Sequence, residues 1–274
     1  MRAWNPSIAA ADARSNRLCV VLIALAIWSP FSLLAQMNPE KSGREIPVTR
    51  VPFVGCRSDG QTGPLAVPTA AAEMVQIDAS AARRLAYYKA QDAPGVLAPR
   101  GWYCFGTYGS AGSSLFVAPQ PIRRDDLFSP NWRGLTEPAI EVAYIYSGTS
   151  GRFEVARIIA RLFPAQKAFA QRVIREEREL GVPGDDFVFG PYPRDRLTFL
   201  TDRIVEYQTP PYCEGLGTDS RLQQNDASID GVAILQGKTP DLLLLNVRLP
   251  PGMNDLTAYV IRQIERNNAV GLSK

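Results

Sequence analysis

The run from Ala139 to Phe163, AIEVAYIYSGTSGRFEVARIIARLF, constrains the fold more than any other stretch. Its first half alternates. Ile140, Val142, Tyr144 and Tyr146 share one face, and Ala139, Glu141, Ala143 and Ile145 the other. β-Branched and aromatic residues at period two predict a strand. Its second half places Phe153, Ala156, Ile159, Ala160 and Phe163 three and four apart, with Arg157 and Arg161 off that stripe. That spacing predicts an amphipathic helix. A chain with this segment must cover a sheet with a helix.

The loop between the halves is Ser147, Gly148, Thr149, Ser150, Gly151 and Arg152. Glycines permit a left-handed backbone, and a Ser or Thr caps the helix start. Free N–H groups there, with Arg152, form a candidate anion site. The alternative is an ordinary capped turn. The loop lacks the Lys of a P-loop, is no G-x-G-x-x-G, and has Arg152 where G-x-S-x-G needs its second glycine.

The chain contains no histidine. This excludes Ser-His-Asp and Cys-His nucleophiles and any zinc site with imidazole ligands. Carboxylate pairs, a Ser–Lys dyad, carboxylate-bound metals and pure binding roles remain. A net charge of +3 over 274 residues gives no electrostatic case for nucleic acid.

Leu18 to Trp28, LCVVLIALAIW, is an apolar run preceded by Arg14 and Arg17 and followed by small and apolar residues to Ala35. It predicts a secretory leader over residues 1–35, cleaved near Ala35. Retained, residues 18–35 would be an 18-residue anchor, near the lower limit for a span. Residues 36–50 read as a flexible lead-in, and 51–274 as one globular domain.

Within that domain Asp78 to Gln91 predicts a helix capped by Asp78. Ala165 to Leu180 predicts another, and Asn254 or Asp255 caps a last one. Arg203–Gln208, Gly231–Gln236 and Asp241–Leu249 predict strands. Gly237-Lys238-Thr239-Pro240 is a hairpin turn between the last two. The continuous apolar run Leu242–Leu245 belongs at a sheet centre. The expected class is α+β: a mostly antiparallel or mixed sheet with helices packed against it.

Cys56 and Cys104 lie in Gly-rich turn regions at the start of the domain and are expected to pair. Cys213 is then left over, and its spacing suits no metal cluster. Ser110, Ser113 and Ser114 are nucleophile candidates only if Lys89, Lys167 or Lys238 reaches them. Glu206, Glu214 and Asp219 are acid–base candidates, set against ion pairing with nearby arginines. Asp226 to Gly231 has the front of a calcium loop, but Gly237 stands where its bidentate Glu belongs. It reads as a turn into a strand, and no metal or cofactor is expected. Trp102, Tyr103, Phe105 and Tyr108 form either a binding surface or, the preferred reading, sheet-end packing.

Together VPFVGCRSDGQTGP, APRGWYCFGTYGS, YSGTSGRFEVARIIARLFP, FGPYPRDRL and PDLLLLNVRLP resemble an uncharacterised family of bacterial secreted proteins. The resemblance implies export and a single domain, and brings no activity or catalytic residue. The expectation is a periplasmic or secreted binding or accessory protein of the cell envelope, with an unknown envelope ligand or protein as partner. It would touch a membrane only if residues 18–35 are retained. The alternative is a His-independent envelope hydrolase using carboxylates or a Ser–Lys dyad.

Overall fold

A computed structural model describes residues 46–179 and 187–269. The expected leader (1–35) and most of the lead-in lie outside the described residues. The elements run β1 (Val48–Val51), β2 (Phe53–Gly55), β3 (Arg57–Gly60), β4 (Glu73–Gln76), α1 (Ala79–Arg84), β5 (Leu85–Lys89), β6 (Val96–Pro99), β7 (Tyr103–Gly109), β8 (Gly112–Ala118), α2 (Arg124–Leu127) and β9 (Ala139–Ile145). They continue with α3 (Arg152–Leu162), α4 (Lys167–Glu179), β10 (Arg196–Phe199), β11 (Ile204–Thr209), β12 (Ile229–Gln236), β13 (Asp241–Arg248) and α5 (Thr257–Ala269).

Among the described residues, eight strands form one sheet in the order β10-β11-β12-β13-β9-β8-β7-β3. Within that sheet only β3 and β7 pair in parallel. The expected α+β class, with a mostly antiparallel sheet, is what the chain adopts. Gln236 pairs with Asp241 across the expected hairpin, whose Gly237 has φ 73°. Leu242 to Leu245 lie in the central strand, buried on both faces.

The two faces are covered differently. On one, α3 and α4 bring Val155, Ile159, Phe169 and Val173 against Ala143, Val205, Ala233 and Leu244. On the other, Val260 and Ile264 of α5 share a core with Val142, Val232 and Leu245 and with the small sheet β2-β5-β6. The α3/α4 cluster takes its sheet residues from β9 to β13 and none from β7 or β8. That uncovered end of the sheet face is where the candidate site lies.

The helix expected over Asp78–Gln91 ends at Arg84. Its start is as read: Asp78 Oδ1 accepts the N–H groups of Ser80 and Ala81 at 2.8 and 2.9 Å. Its end is set from outside, because the Arg100 guanidinium donates to Ala82 O (2.7 Å) and Leu85 O (3.0 Å), satisfying carbonyls a helix end leaves open. The sequence LAYYK then pairs with β2 and β6, where its aromatic residues suit a strand. Cys56 and Cys104, expected in turns, flank and enter the β3/β7 ladder. Their Cα atoms are 5.5 Å apart and they form the expected disulfide. No helix among the described residues is long and apolar enough to cross a membrane.

Candidate functional site

Cross-strand register builds the site. On the α3/α4 face one row runs Tyr207, Gly231, Asn246, Glu141, Phe116 and Phe105 across six strands. Gly231 is required there, since a Cβ would sit 2.2 Å from Leu245 O and 2.4 Å from Tyr207 Cζ. With no side chain in the way, the Tyr207 hydroxyl crosses the strand and donates to Asn246 Oδ1 at 2.6 Å. The next residue in the row, Glu141, is the first that opens onto a cavity.

That cavity has a volume of about 370 Å³ and lies over β7, β8 and β9. Its floor holds Glu141, Phe116, Ser114 and Ala143. Its walls are Phe128 and Trp132 after α2, Glu154 of α3, and Asp219, Ser220 and Arg221. Phe116 meets Trp132 edge-on at 6.0 Å between ring centroids. The Arg221 guanidinium lies over the other part of Trp132, 5.7 Å from the ring centroid.

Glu141 is only 6% exposed. Its Oε2 accepts the Arg221 N–H at 2.9 Å. The Ser220 hydroxyl is beside the carboxyl but donates to Gly217 O at 2.5 Å. Burial outweighs these donors and pushes the Glu141 pKa up to about 7, with Glu154 adding to the rise. Burial raises Glu154 as well, against the pull of Arg157. Arg157 lies 4.0 Å from Glu154 Oε1 and 3.7 Å from Asp219 Oδ2.

The loop that carries Arg221 is fixed from below. Asp195 accepts from Thr209 Oγ1 (2.7 Å) and Leu216 N (2.8 Å), and Thr209 Oγ1 accepts from Gly217 N (2.9 Å). Leu135 N donates to Arg221 O at 2.7 Å. Two distant segments thus bring an N–H to Glu141, which is why sequence reading assigned it no role. The available signal was one acidic residue in an otherwise apolar strand.

Of the residues read from sequence, Tyr108, Ser113, Ser114 and Asp219 line this cavity. Glu214 lines a neighbouring cleft on the far side of Asp219. The Ser113 hydroxyl donates to Asp92 O (2.8 Å) and the Lys89 ammonium to Ala93 O (2.5 Å), so the two do not bond each other. Trp102 packs into the α5-side core, Phe105 is buried and Tyr103 is exposed. Cys213 is a half-buried free thiol.

Several donors of the Ser147–Arg152 loop are spent on the protein itself. Ser147 N and Oγ both donate to Asp241 Oδ1, at 2.7 and 2.8 Å, so a carboxylate of the neighbouring strand sits on them. Thr149 Oγ1 accepts from Gly151 N, and Arg152 pairs with Glu176 at 3.2 Å. Gly151 is right-handed (φ −61°) and is needed for space, since a Cβ would lie 2.3 Å from Ala111 O. No group of three or more Cys, Asp or Glu among the described residues is placed to hold a metal ion.

A second groove of about 450 Å³ lies on the opposite face, between β11, β12 and α5, and includes Glu206, Asp230 and Arg262. Beside it the Glu265 carboxyl faces that of Glu206. Burial first, then the bond and charge of Glu206, push the Glu265 pKa up to about 7, against Arg262 and Arg266. The folded state therefore favours protonated Glu265. That contribution is complete below the unfolded value, near 4.5, and is lost as pH rises through about 7. Glu265→Gln is expected to raise the melting temperature at pH 8 and leave it unchanged at pH 4. An equal shift at both pH values in a thermal melt would exclude the carboxyl pair as the cause.

Comparison with family models, with curated proteins and with solved structures gives no match.

Proposed function

We propose that this is an exported binding protein of the bacterial cell envelope, and that the cavity over β7–β9 is its ligand site. The observation that carries the reading is Glu141, a carboxyl almost wholly withdrawn from water that opens onto an aromatic-walled cavity. Small-molecule sites combine such apolar walls with a few placed polar groups, and perturbed titrations mark them. A cross-linked fold suits an oxidising compartment, periplasmic or secreted, in keeping with the apolar leader. Intact mass of the exported chain tests the leader: cleavage near Ala35 excludes an anchor over residues 18–35.

A second reading is favoured by one feature. Glu141, held partly protonated near neutrality, shares the cavity with Asp219 and Glu154. A carboxyl raised by burial is a candidate general acid without histidine, as an envelope hydrolase would need.

A thermal-shift panel of glycan fragments, short peptides, phosphosugars and amines tests both readings. A ligand at a hundred times its Kd adds about 2.7 kcal/mol, a shift of several degrees. The shift is expected to vanish in Trp132→Ala. A hit whose shift survives Trp132→Ala places its site elsewhere and rejects this cavity. Turnover of a hit, abolished in Glu141→Gln with folding intact, would replace the binding reading with the hydrolase.

A further inference from the structure

We infer that the cavity seats a primary ammonium group, held against Glu141 and enclosed by the aromatic side chains of Phe116, Phe128 and Trp132. The inference rests on this cavity being the ligand site and names the chemistry that site takes.

Hydrogen-bond capacity is the first argument. An ionised carboxylate offers about four acceptor positions. Glu141 receives the Arg221 N–H, and the Ser220 hydroxyl beside it, which also donates to Gly217 O, adds at most one more bond. The unspent capacity at the cavity floor is therefore acceptor capacity, and its complement is a donor. A primary ammonium brings three donors and no acceptor.

Charge is the second. The lining carries Glu141, Glu154 and Asp219 against one cation, Arg221. Arg157 approaches Glu154 and Asp219, while the Arg221 guanidinium lies over Trp132. The Arg221 charge acts on Glu141 and lowers its pKa, but no hydrogen bond or ion pair joins that guanidinium to the carboxyl among the described residues. A buried carboxylate is costly until a charge partner reaches it. An anionic ligand would meet three carboxyls. A neutral polyol would supply donors, and so favour ionised Glu141 by hydrogen bonds alone, but would bring no compensating charge.

The walls are the third. Phe128 and Trp132 stand beside the floor residue Phe116; Arg124 lies over Phe128 and Arg221 over Trp132, which leaves Phe116 and the remaining ring faces to a ligand. Ring faces attract an ammonium within about 6 Å and do so more strongly where water is excluded. The cavity has room for a body larger than the ammonium itself, and two sources share this chemistry: an amino sugar from an envelope glycan and a free aliphatic amine.

Binding of a cation favours ionised Glu141, whose pKa burial raises to about 7. At pH 7 about half of the molecules then lose a proton on binding. The test is titration calorimetry of the purified chain with glucosamine, putrescine and the neutral analogue N-acetylglucosamine. It is run at pH 6, 7 and 8 in two buffers of different ionisation enthalpy, neither a primary amine. The expected result is binding of glucosamine or putrescine at least about tenfold tighter than N-acetylglucosamine. With putrescine, which stays fully protonated over this range, about half a proton is released at pH 7, and its affinity rises from pH 6 to pH 8. Glu141→Gln removes both the preference and the proton release; Trp132→Leu weakens binding and keeps the release. Preference for glucosamine assigns a glycan source, and preference for putrescine a free amine.

N-acetylglucosamine bound as tightly as glucosamine, with affinity kept in Glu141→Gln, overturns the ammonium assignment. If that binding is still lost in Trp132→Leu, the cavity stands as the site. No heat with any of the three probes also overturns the assignment, and the wider thermal-shift panel then judges the cavity separately.

Discussion

A chain with Cys56→Ser and Cys104→Ser is expected to be about 4 kcal/mol less stable than the bridged protein, and to melt about 10 °C lower. The bridge closes a loop of sequence separation 48. In the chain-entropy treatment a loop of that length removes roughly this much freedom from the unfolded state. The loop contains β4, α1, β5 and β6, so the small sheet β2-β5-β6 and the helix before it are tied to the large sheet at one point. Cys56 stands one residue before Arg57, whose partner in the parallel ladder is Phe105. The half-cystines therefore continue the β3/β7 register rather than distort it. Urea unfolding of both chains, and of the wild type with and without reductant, measures the difference. A loss below about 1 kcal/mol would mean that the unfolded chain is already compact in this region. A loss near 4 kcal/mol means that folding without an oxidising compartment yields a much weaker protein, which binds the export reading to stability.

What could be read beforehand was what depends on neighbours in sequence. Leu242 to Leu245 is apolar at every position, and a strand with no polar face has only the sheet centre to occupy. Asp78 declares a helix start through donors two and three residues on. Where that helix stops is different: Arg100, sixteen residues beyond Arg84, satisfies its last carbonyls, and the pairing of LAYYK with β2 and β6 outweighs its helical spacing. The same distance dependence governs the site. Ser147 to Arg152 has the composition of an anion loop, but Asp241 reaches Ser147 from 94 residues away, and nothing local announces it. Glu141 was visible as an oddity in AIEVAYI. Its meaning depends on Arg221, 80 residues later, and on helices that stop short of β7 and β8. Side-chain chemistry was legible; which side chains share a cavity is a property of register and of what leaves a sheet face uncovered.

Arg248 carries the other large expected effect, because it holds the wall of that cavity in place. It is 1% exposed, and its guanidinium donates to Leu135 O (2.7 Å), Glu137 O (2.8 Å) and Gln223 O. Leu135 in turn bonds Arg221 and Gln223, joining the segment after Trp132 to the segment that delivers the N–H to Glu141. Arg248→Ala leaves the Glu137 and Gln223 carbonyls without this donor, leaves Leu135 O with the Gln223 N–H alone, and opens a void the size of the side chain. The expected loss is about 3–5 kcal/mol in urea unfolding. Arg248→Met fills the void but restores no donor, so it is expected to recover only the packing part of the loss. The consequence reaches the site. Once the 135–137 and 221–223 segments loosen, water enters beside Glu141, and the burial that raised its pKa to about 7 is relieved. Carboxyl titration followed by carbon-13 NMR is therefore expected to show Glu141 moving down toward its ordinary range in Arg248→Met. If stability falls as expected while the Glu141 titration stays near 7, Arg248 supports the fold alone, and the cavity owes its geometry to the Asp195–Thr209 anchor instead.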